Sequence, residues 1–308
     1  MAAYLLALIL VPAGCSQDQG VEFKVMAWNI WHGGHDESLP ADGRPSVVNI
    51  IRESGADVVL MIETYGSAPY IADSLGFSHH LISDNLCIFS RFPIVETYEY
   101  GENVPTFNFG GAKILVEGEE EVIFYDTWLH YLPDTRLAPL SAPHDSILAW
   151  ENSGTRDDEI DAILNSIGTH LAGSDSVPVI MGGDFNSHSH LDWVESTKHL
   201  YNHGGTVVDW TISKRMAGAG FTDTYRHVFP EPEKHPGTTW MSGRNLAGEE
   251  GYHRQDRIDY IYSKGSRLQI VDSQAFQVPD GDTLVYKGKK YMYPSDHGFV
   301  VTTFRLRD

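Results

Sequence analysis

The sequence predicts an α/β fold of many short strands with helices interspersed among them, within the size that a layered sandwich reaches as one unit. Three observations carry this reading. Short apolar runs of strand length recur along the chain, stretches with helical spacing are interspersed among them but fewer, and single polar residues repeatedly stand where an apolar run stops.

In chain order, Phe23 to Ile30 reads as a strand, Ser46 to Glu53 as a helix, Val58 to Ile62 as a strand and Ala68 to Leu75 as a helix. Leu86 to Ser90, Ile114 to Val116 and Val122 to Trp128 are strands, the last followed by Leu132 to Ser153, whose Pro, Ser and Asp content reads as a long loop. Arg156 to Leu171 is the clearest helix, because Asp157, Asp158 and Glu159 place acids in its first turn, at the positive end of the dipole. Val177 to Met181 is a further strand, and Pro230 to Gly251 a second long loop. Arg257 to Tyr262, Leu268 to Phe276 and Phe299 to Phe304 supply the closing strands. With no internal repeat and no low-complexity linker, residues 21–308 read as one domain with an ample core.

Residues 1–20 read as an export signal and tether. Met1 to Gly14 is apolar but too short to span roughly 30 Å of hydrocarbon. Its end, Val11-Pro12-Ala13-Gly14-Cys15, resembles a bacterial lipoprotein cleavage box, although Pro12 and the uncharged start depart from the usual pattern. The expectation is an exported bacterial protein, either tethered to the cell envelope by lipid on Cys15 or plainly secreted. Cys87, within Leu86-Cys87-Ile88-Phe89, then remains as a small buried hydrophobe, and no disulfide framework is available.

The formal charge of −20 and pI near 5.0 give a field that repels polyanions, which weighs against an extended nucleic-acid footprint. A bound cation would invert that field locally among clustered carboxylates.

The polar residues at run ends supply such a cluster. Asn29 follows Met26-Ala27-Trp28, Glu63 follows Leu60-Met61-Ile62, and Asp184 and Asn186 follow Ile180-Met181-Gly182-Gly183. The paired glycines permit close backbone approach, and Asp184 and Asn186, two apart, share a face of an extended segment. Asp259 stands in Arg257-Ile258-Asp259-Tyr260-Ile261, and Ser295-Asp296-His297 precedes the last strand.

Taken in order, Trp-Asn, Ile-Glu, Gly-Asp-Phe-Asn, Arg-Ile-Asp-Tyr-Ile and Ser-Asp-His resemble the endonuclease/exonuclease/phosphatase superfamily across essentially the whole chain after the leader. Ser90-Arg91-Phe92-Pro93-Ile94 is similar to a further stretch of that group. The resemblance implies a DNase I-like four-layer α-β-β-α sandwich, two mixed sheets packed face to face with helices outside, in which Glu63, assisted by Asn29 and Asp296, holds a magnesium ion, or manganese, through hard oxygen donors. It further implies that Asp184 activates the attacking water and that Asn186 holds the nucleophile or a phosphoryl oxygen. His297, oriented by Asp259, would stabilise the crowded phosphorus centre. Similar proteins carry Thr-His in the middle strand, whereas this chain reads Asp126-Thr127-Trp128-Leu129-His130. Trp128 takes the histidine's place, and His130, two residues on, shares its strand face and is expected to reach the substrate from a shifted position.

Four further features admit both a structural and a functional reading. Trp31-His32-Gly33-Gly34-His35 is either an aromatic lip over the substrate or a glycine turn with one packed tryptophan. His190, near His188, either borders the pocket beside Asn186 or is a solvated loop residue, and metal ligation by either histidine is the weaker reading. Lys287, Lys289 and Lys290 either meet an entering phosphate or form a solvated basic turn, and Arg257 either serves the site or pins its strand by ion pairing.

The function expected is an exported, divalent-metal-dependent hydrolase of phosphate esters, a phosphodiesterase or phosphatase acting on compact substrates. A secreted nuclease is the alternative within the same chemistry, and a catalytically silent binding protein on the same fold the alternative outside it. No protein partner is inferred.

Overall fold

The computed structural model describes residues 20–240, 256–279 and 281–307. The export reading, with Cys15, and the end of the Pro230 to Gly251 loop lie outside them.

The strands are β1 (Val21–Asn29), β2 (Val58–Ile62), β3 (Ser78–Leu81), β4 (Leu86–Ser90), β5 (Ile94–Tyr98), β6 (Phe109–Val116), β7 (Glu120–Trp128), β8 (Val179–Asp184), β9 (Thr222–Asp223), β10 (Asp259–Lys264), β11 (Leu268–Phe276), β12 (Thr283–Tyr286), β13 (Lys289–Met292) and β14 (Phe299–Leu306). The α-helices are α1 (Arg44–Ser54), α2 (Ala68–Leu75), α3 (His144–Glu151), α4 (Arg156–Ser166), α5 (Gly168–Ala172), α6 (Thr211–Gly218) and α7 (Thr224–Val228).

Two six-stranded sheets result, ordered β11-β14-β1-β2-β4-β3 and β5-β6-β7-β8-β10-β9. Both are mixed, because β1 pairs parallel with β2 and β7 with β8 while their other neighbours run antiparallel. Alternate residues of each strand take opposite faces, and here both faces are covered, so the strands read as continuous apolar runs. Val25, Ala27 and Leu60 of one sheet meet Phe124, Ile180 and Ile261 of the other in the inner layer. Met26, Trp28, Val59 and Met61 face outward onto α1 and α2, and Ile123, Tyr125 and Met181 face outward onto α4 and α6. This is the four-layer α-β-β-α sandwich, DNase I-like in its arrangement, and Cys87 is buried in the outer cluster over α1.

The structure departs from the sequence reading in three places and refines it in a fourth. The loop expected over Leu132 to Ser153 contains α3, whose Ile147 is buried against Trp193 and Trp210, a tertiary contact that propensity does not foresee. The long helix expected from Arg156 breaks after Ser166 and resumes as α5 at Gly168. The strand holding Asp259 begins there and not at Arg257, which is buried with its guanidinium 2.8 Å from Asp192 Oδ2 and 2.7 Å from Asp223 Oδ2. The basic stretch is the turn of the β12-β13 hairpin: Lys287 (φ 46°) and Gly288 (φ 78°) both adopt positive φ, as a two-residue type I′ turn requires.

Candidate active site

Strand parity builds the centre. Asn29 shares its face with Val25 and Ala27, Asp184 with Ile180, and Asp259 with Ile261, and those partners fill the inner layer. At the strand ends the apolar filling stops, and the next inward positions carry Asn29, Asp184 and Asp259, each at most 1% exposed. The Asn29 amide joins two of the acids, its Nδ2 donating to Glu63 Oε1 at 3.1 Å and to Asp184 Oδ2 at 3.2 Å.

Glycines make this convergence possible. A Cβ on Gly182 would meet Leu60 Cδ1 of the opposite sheet at 2.8 Å, and Gly183, at φ +142°, would place one 1.9 Å from the Thr127 carbonyl oxygen. The next turn orients Asp184: the Asn186 backbone N–H donates to its Oδ1 at 3.0 Å. The Asn186 side chain, expected to hold nucleophile or phosphate, donates instead to the Leu129 carbonyl at 2.8 Å and to Asp184 Oδ2 at 3.3 Å, so both its N–H groups brace the centre.

His297 closes the far side. It donates from Nδ1 to Asp259 Oδ2 at 3.0 Å, and its Nε2 lies 3.8 Å from Asp184 Oδ2. Ser295 pins this segment to β1, its hydroxyl donating to the Asn29 carbonyl at 2.6 Å and accepting from the His297 N–H at 2.9 Å. Burial alone would lower the imidazole's pKa, but the carboxylates of Asp259, Asp184 and Asp296 reverse this and hold it well above its usual value. Burial, reinforced by the Asp259 charge and opposed by His297, pushes Asp184 up to about 7.

Three residues bear on metal binding. Glu63 accepts the His32 N–H on Oε2 at 3.0 Å and the Asn29 amide on Oε1. The buried Asp296 Oδ1 has no hydrogen-bond partner, an orphaned anionic oxygen of the kind that a hard cation satisfies. With Asn29 beside them, these oxygens fit a magnesium-type ion. Asp184, Asp259 and His297 also bring donor atoms within 4.8 Å of one another, but their protons are committed to the Asp259–His297 hydrogen bond, which suits proton transfer better than ligation.

The backbone is strained around this point. Of nine non-glycine residues with positive φ among the described residues, five line the cleft: Trp31, His32, Glu63, Tyr65 and Asn186. Such conformations cost energy and persist where the surroundings over-determine them, which concentrates them at functional sites. The Trp31 to His35 segment is accordingly both of its expected alternatives, a glycine turn and a lip of the cleft.

The cleft has a volume of about 590 Å³ and includes Glu63, Asp184, Asn186, Asp296 and His297 in its lining. His130 lines it too, but not by strand parity, since β7 ends at Trp128. Its backbone N–H is held by Glu159 Oε2 at 2.9 Å and its carbonyl by Arg156 at 3.1 Å. His190 is not brought there: its ring and N–H both turn to the Ser213 hydroxyl at 2.8 Å. Nor are the lysines, for Lys287 and Lys289 bind the Glu53 carbonyl and carboxylate at the end of α1, and Lys290 is exposed outside the cleft lining. Trp240, Phe107, Tyr65 and Tyr131 line the cleft without having been singled out in the sequence; each comes from a loop, where no periodic pattern marks a facing side.

Comparison with known proteins agrees with this geometry. The family model described as Endonuclease/Exonuclease/phosphatase family matches residues 26–297. An uncharacterized Caenorhabditis elegans protein is 28% identical over 324 residues, covering 96% of this chain and 97% of that protein. A Bacillus subtilis exodeoxyribonuclease is 34% identical over 98 residues, 31% of this chain and 37% of its own. Among solved structures, the Beutenbergia cavernae endonuclease/exonuclease/phosphatase superposes with TM-score 0.56 at 18% identity, over 93% of this chain and 72% of that one. Danio rerio TDP2 complexed with a single-strand DNA product superposes with TM-score 0.59 at 16% identity, over 92% and 99%. The chain therefore belongs to the endonuclease/exonuclease/phosphatase family, whose members are phosphoric ester hydrolases.

Proposed function

We propose that this protein is an exported, magnesium-dependent hydrolase of compact phosphate esters, a phosphodiesterase or phosphatase. One observation carries the reading: the Asn29 amide ties the Glu63 carboxylate to Asp184, whose pKa lies near neutrality and which faces a His297 that Asp259 keeps charged.

The ion, held by Glu63, Asn29 and Asp296, would polarise the phosphoryl group and neutralise developing charge. Asp184 accepts the proton of the attacking water, a task suited to a carboxylate whose pKa sits near the working pH. Asn186 holds that carboxylate in one orientation through its backbone N–H. His297 presents an N–H at Nε2 to a non-bridging phosphoryl oxygen, and Asp259 keeps the ring turned toward it. His130, which also lines the cleft, is the candidate donor to the leaving oxygen.

Compactness is supported by the charge of −20 and by a lining that contains no Lys or Arg among the described residues. Duplex binding needs several neutralised phosphates, each adding about 0.9 to the salt slope. The solved relative with a DNA product keeps a nuclease as the second reading. Export rests on the apolar run before Cys15, and selective extraction into detergent with labelling by a fatty-acid analogue would test its lipid tether. Two measurements test the enzyme reading. Glu63→Gln is expected to weaken calorimetric magnesium binding without loss of fold, and unchanged affinity removes Glu63 from the ion. Plasmid DNA as the best substrate, with activity falling steeply as salt rises, would replace the compact-ester reading by a nuclease.

A further inference from the structure

Resting on the phosphoesterase reading above, we propose that Phe107, Trp128 and Tyr131 form a stacking platform beside the reacting phosphate, so that the preferred substrate carries a flat, uncharged ring on that phosphate.

The placement follows from register. Trp128 is the last residue of β7 and pairs directly with Asp184 of the parallel β8, so its indole stands one strand away from the proposed base. A group touching that indole is therefore within a few bonds of the phosphorus. The platform is also fixed in advance. Trp128 N–H donates to the Asn108 carbonyl at 2.9 Å, and the Asn108 side chain donates back to the Trp128 carbonyl at 3.0 Å. This double link holds the neighbouring Phe107 ring edge-on to the indole, with centroids 5.6 Å apart and an interplanar angle of 85°. Tyr131 lies 6.3 Å from the same indole and stacks on His130 at 4.9 Å. Preorganised rings lose little entropy on binding.

These ring surfaces are open to the cleft. Phe107 is 44% exposed and Tyr131 53%, and across the same cleft Tyr65 is 38% exposed. Exposed apolar side chains are ordinary when scattered, but three around one concave site mark a surface built to be covered.

The chemistry of the occupant follows from the charges beside it. Among the described residues the lining contains no Lys or Arg, so these residues offer no cation for a second phosphate. A quaternary ammonium headgroup could also be held by the ring faces through cation–π attraction, which makes phosphocholine the competing occupant in the test. Flat neutral rings gain from stacking without a charged partner, by about 1–3 kcal/mol for a nucleobase.

The test uses the full chain with magnesium and compares binding of phenylphosphonate, methylphosphonate and phosphocholine by calorimetry, in the parent and in the Phe107→Ala and Tyr131→Ala variants. Phenylphosphonate is expected to bind about 10-fold or more tighter than methylphosphonate in the parent, a ratio that collapses toward 1 in either variant. Trp128→Leu, which keeps an apolar side chain at that position but removes the ring, is expected to collapse the ratio as well. Equal affinity for the two phosphonates in the parent overturns the platform while leaving the phosphoesterase reading intact. Phosphocholine binding tightest overturns it in favour of a cation-binding wall. No binding of any of the three, with magnesium present, overturns the platform together with the phosphoesterase reading.

Discussion

Two buried clusters of charge sit within this protein and are built on opposite principles. In one, Asp192 and Asp223 face Arg226 and Arg257, two carboxylates against two guanidinium groups, with Arg257 donating to both acids. Burial opposes the ionised state of Asp192, yet the two arginines hold its pKa below the usual range. In the other, Asp184, Asp259 and Asp296 face His297 as their charged partner with Glu63 joined to Asp184 through Asn29, one acid is raised toward neutrality, and the Asp296 Oδ1 has no partner. The first cluster is saturated and fixes loops. The second keeps unspent capacity at the end of the inner layer, beside strained backbone, and that is the physical mark of a place prepared for an ion and a substrate.

The largest effect expected from breaking the comparison is catalytic. Asp184→Asn removes a base but keeps volume, so turnover should fall by roughly 100- to 10,000-fold with an unchanged melting temperature. Steady-state rates and thermal melts check both halves, and a near-parental rate would remove Asp184 from the role. In the saturated cluster the reverse pattern should hold. Arg257→Ala leaves Asp192 and Asp223 buried without a shared partner, which should cost about 3–5 kcal/mol in urea unfolding. A loss below about 1 kcal/mol would place this cluster among the exposed pairs that contribute little.

A third buried acid sharpens the contrast by belonging to neither cluster. Asp126 is fully buried and points into the inner layer, and burial raises its pKa well above the usual range against the weaker opposing pull of the Met61, Thr127 and Cys87 backbone N–H groups. The native protein then retains a proton that the unfolded chain releases above about pH 4, so this group's contribution to stability declines as pH rises from there toward the folded pKa. Asp126→Asn cannot titrate. Its melting temperature should exceed the parent's at pH 8, and the difference should shrink toward pH 4, whereas a constant difference between the two pH values would show that Asp126 does not titrate in this way.

Much of the site was legible from local pattern. Asn29, Glu63, Asp184 and Asp259 interrupt apolar runs, and a polar residue at the end of a strand buried on both faces has an inward position waiting for it. Less legible were the elements whose position depends on partners. α3 forms around a buried Ile147 that packs on Trp193, Val208 and Trp210 from distant segments, and His130 reaches the cleft because Glu159 and Arg156 grip its backbone. His190 and the lysine turn show the converse: residue types suited to binding phosphate were spent on Ser213 and Glu53.

The sequence by itself determined the strand pattern, its interruptions and the donor types, because a period of two and the chemistry of each side chain are local properties. Tertiary structure alone decided which polar residues converge. Pairing of β7 with β8 placed Trp128 beside Asp184, and packing of one sheet on the other brought Asn29 to the same acid. Contacts between residues far apart in the chain, such as His297 with Asp259, exist only once the sheets have closed over their shared core.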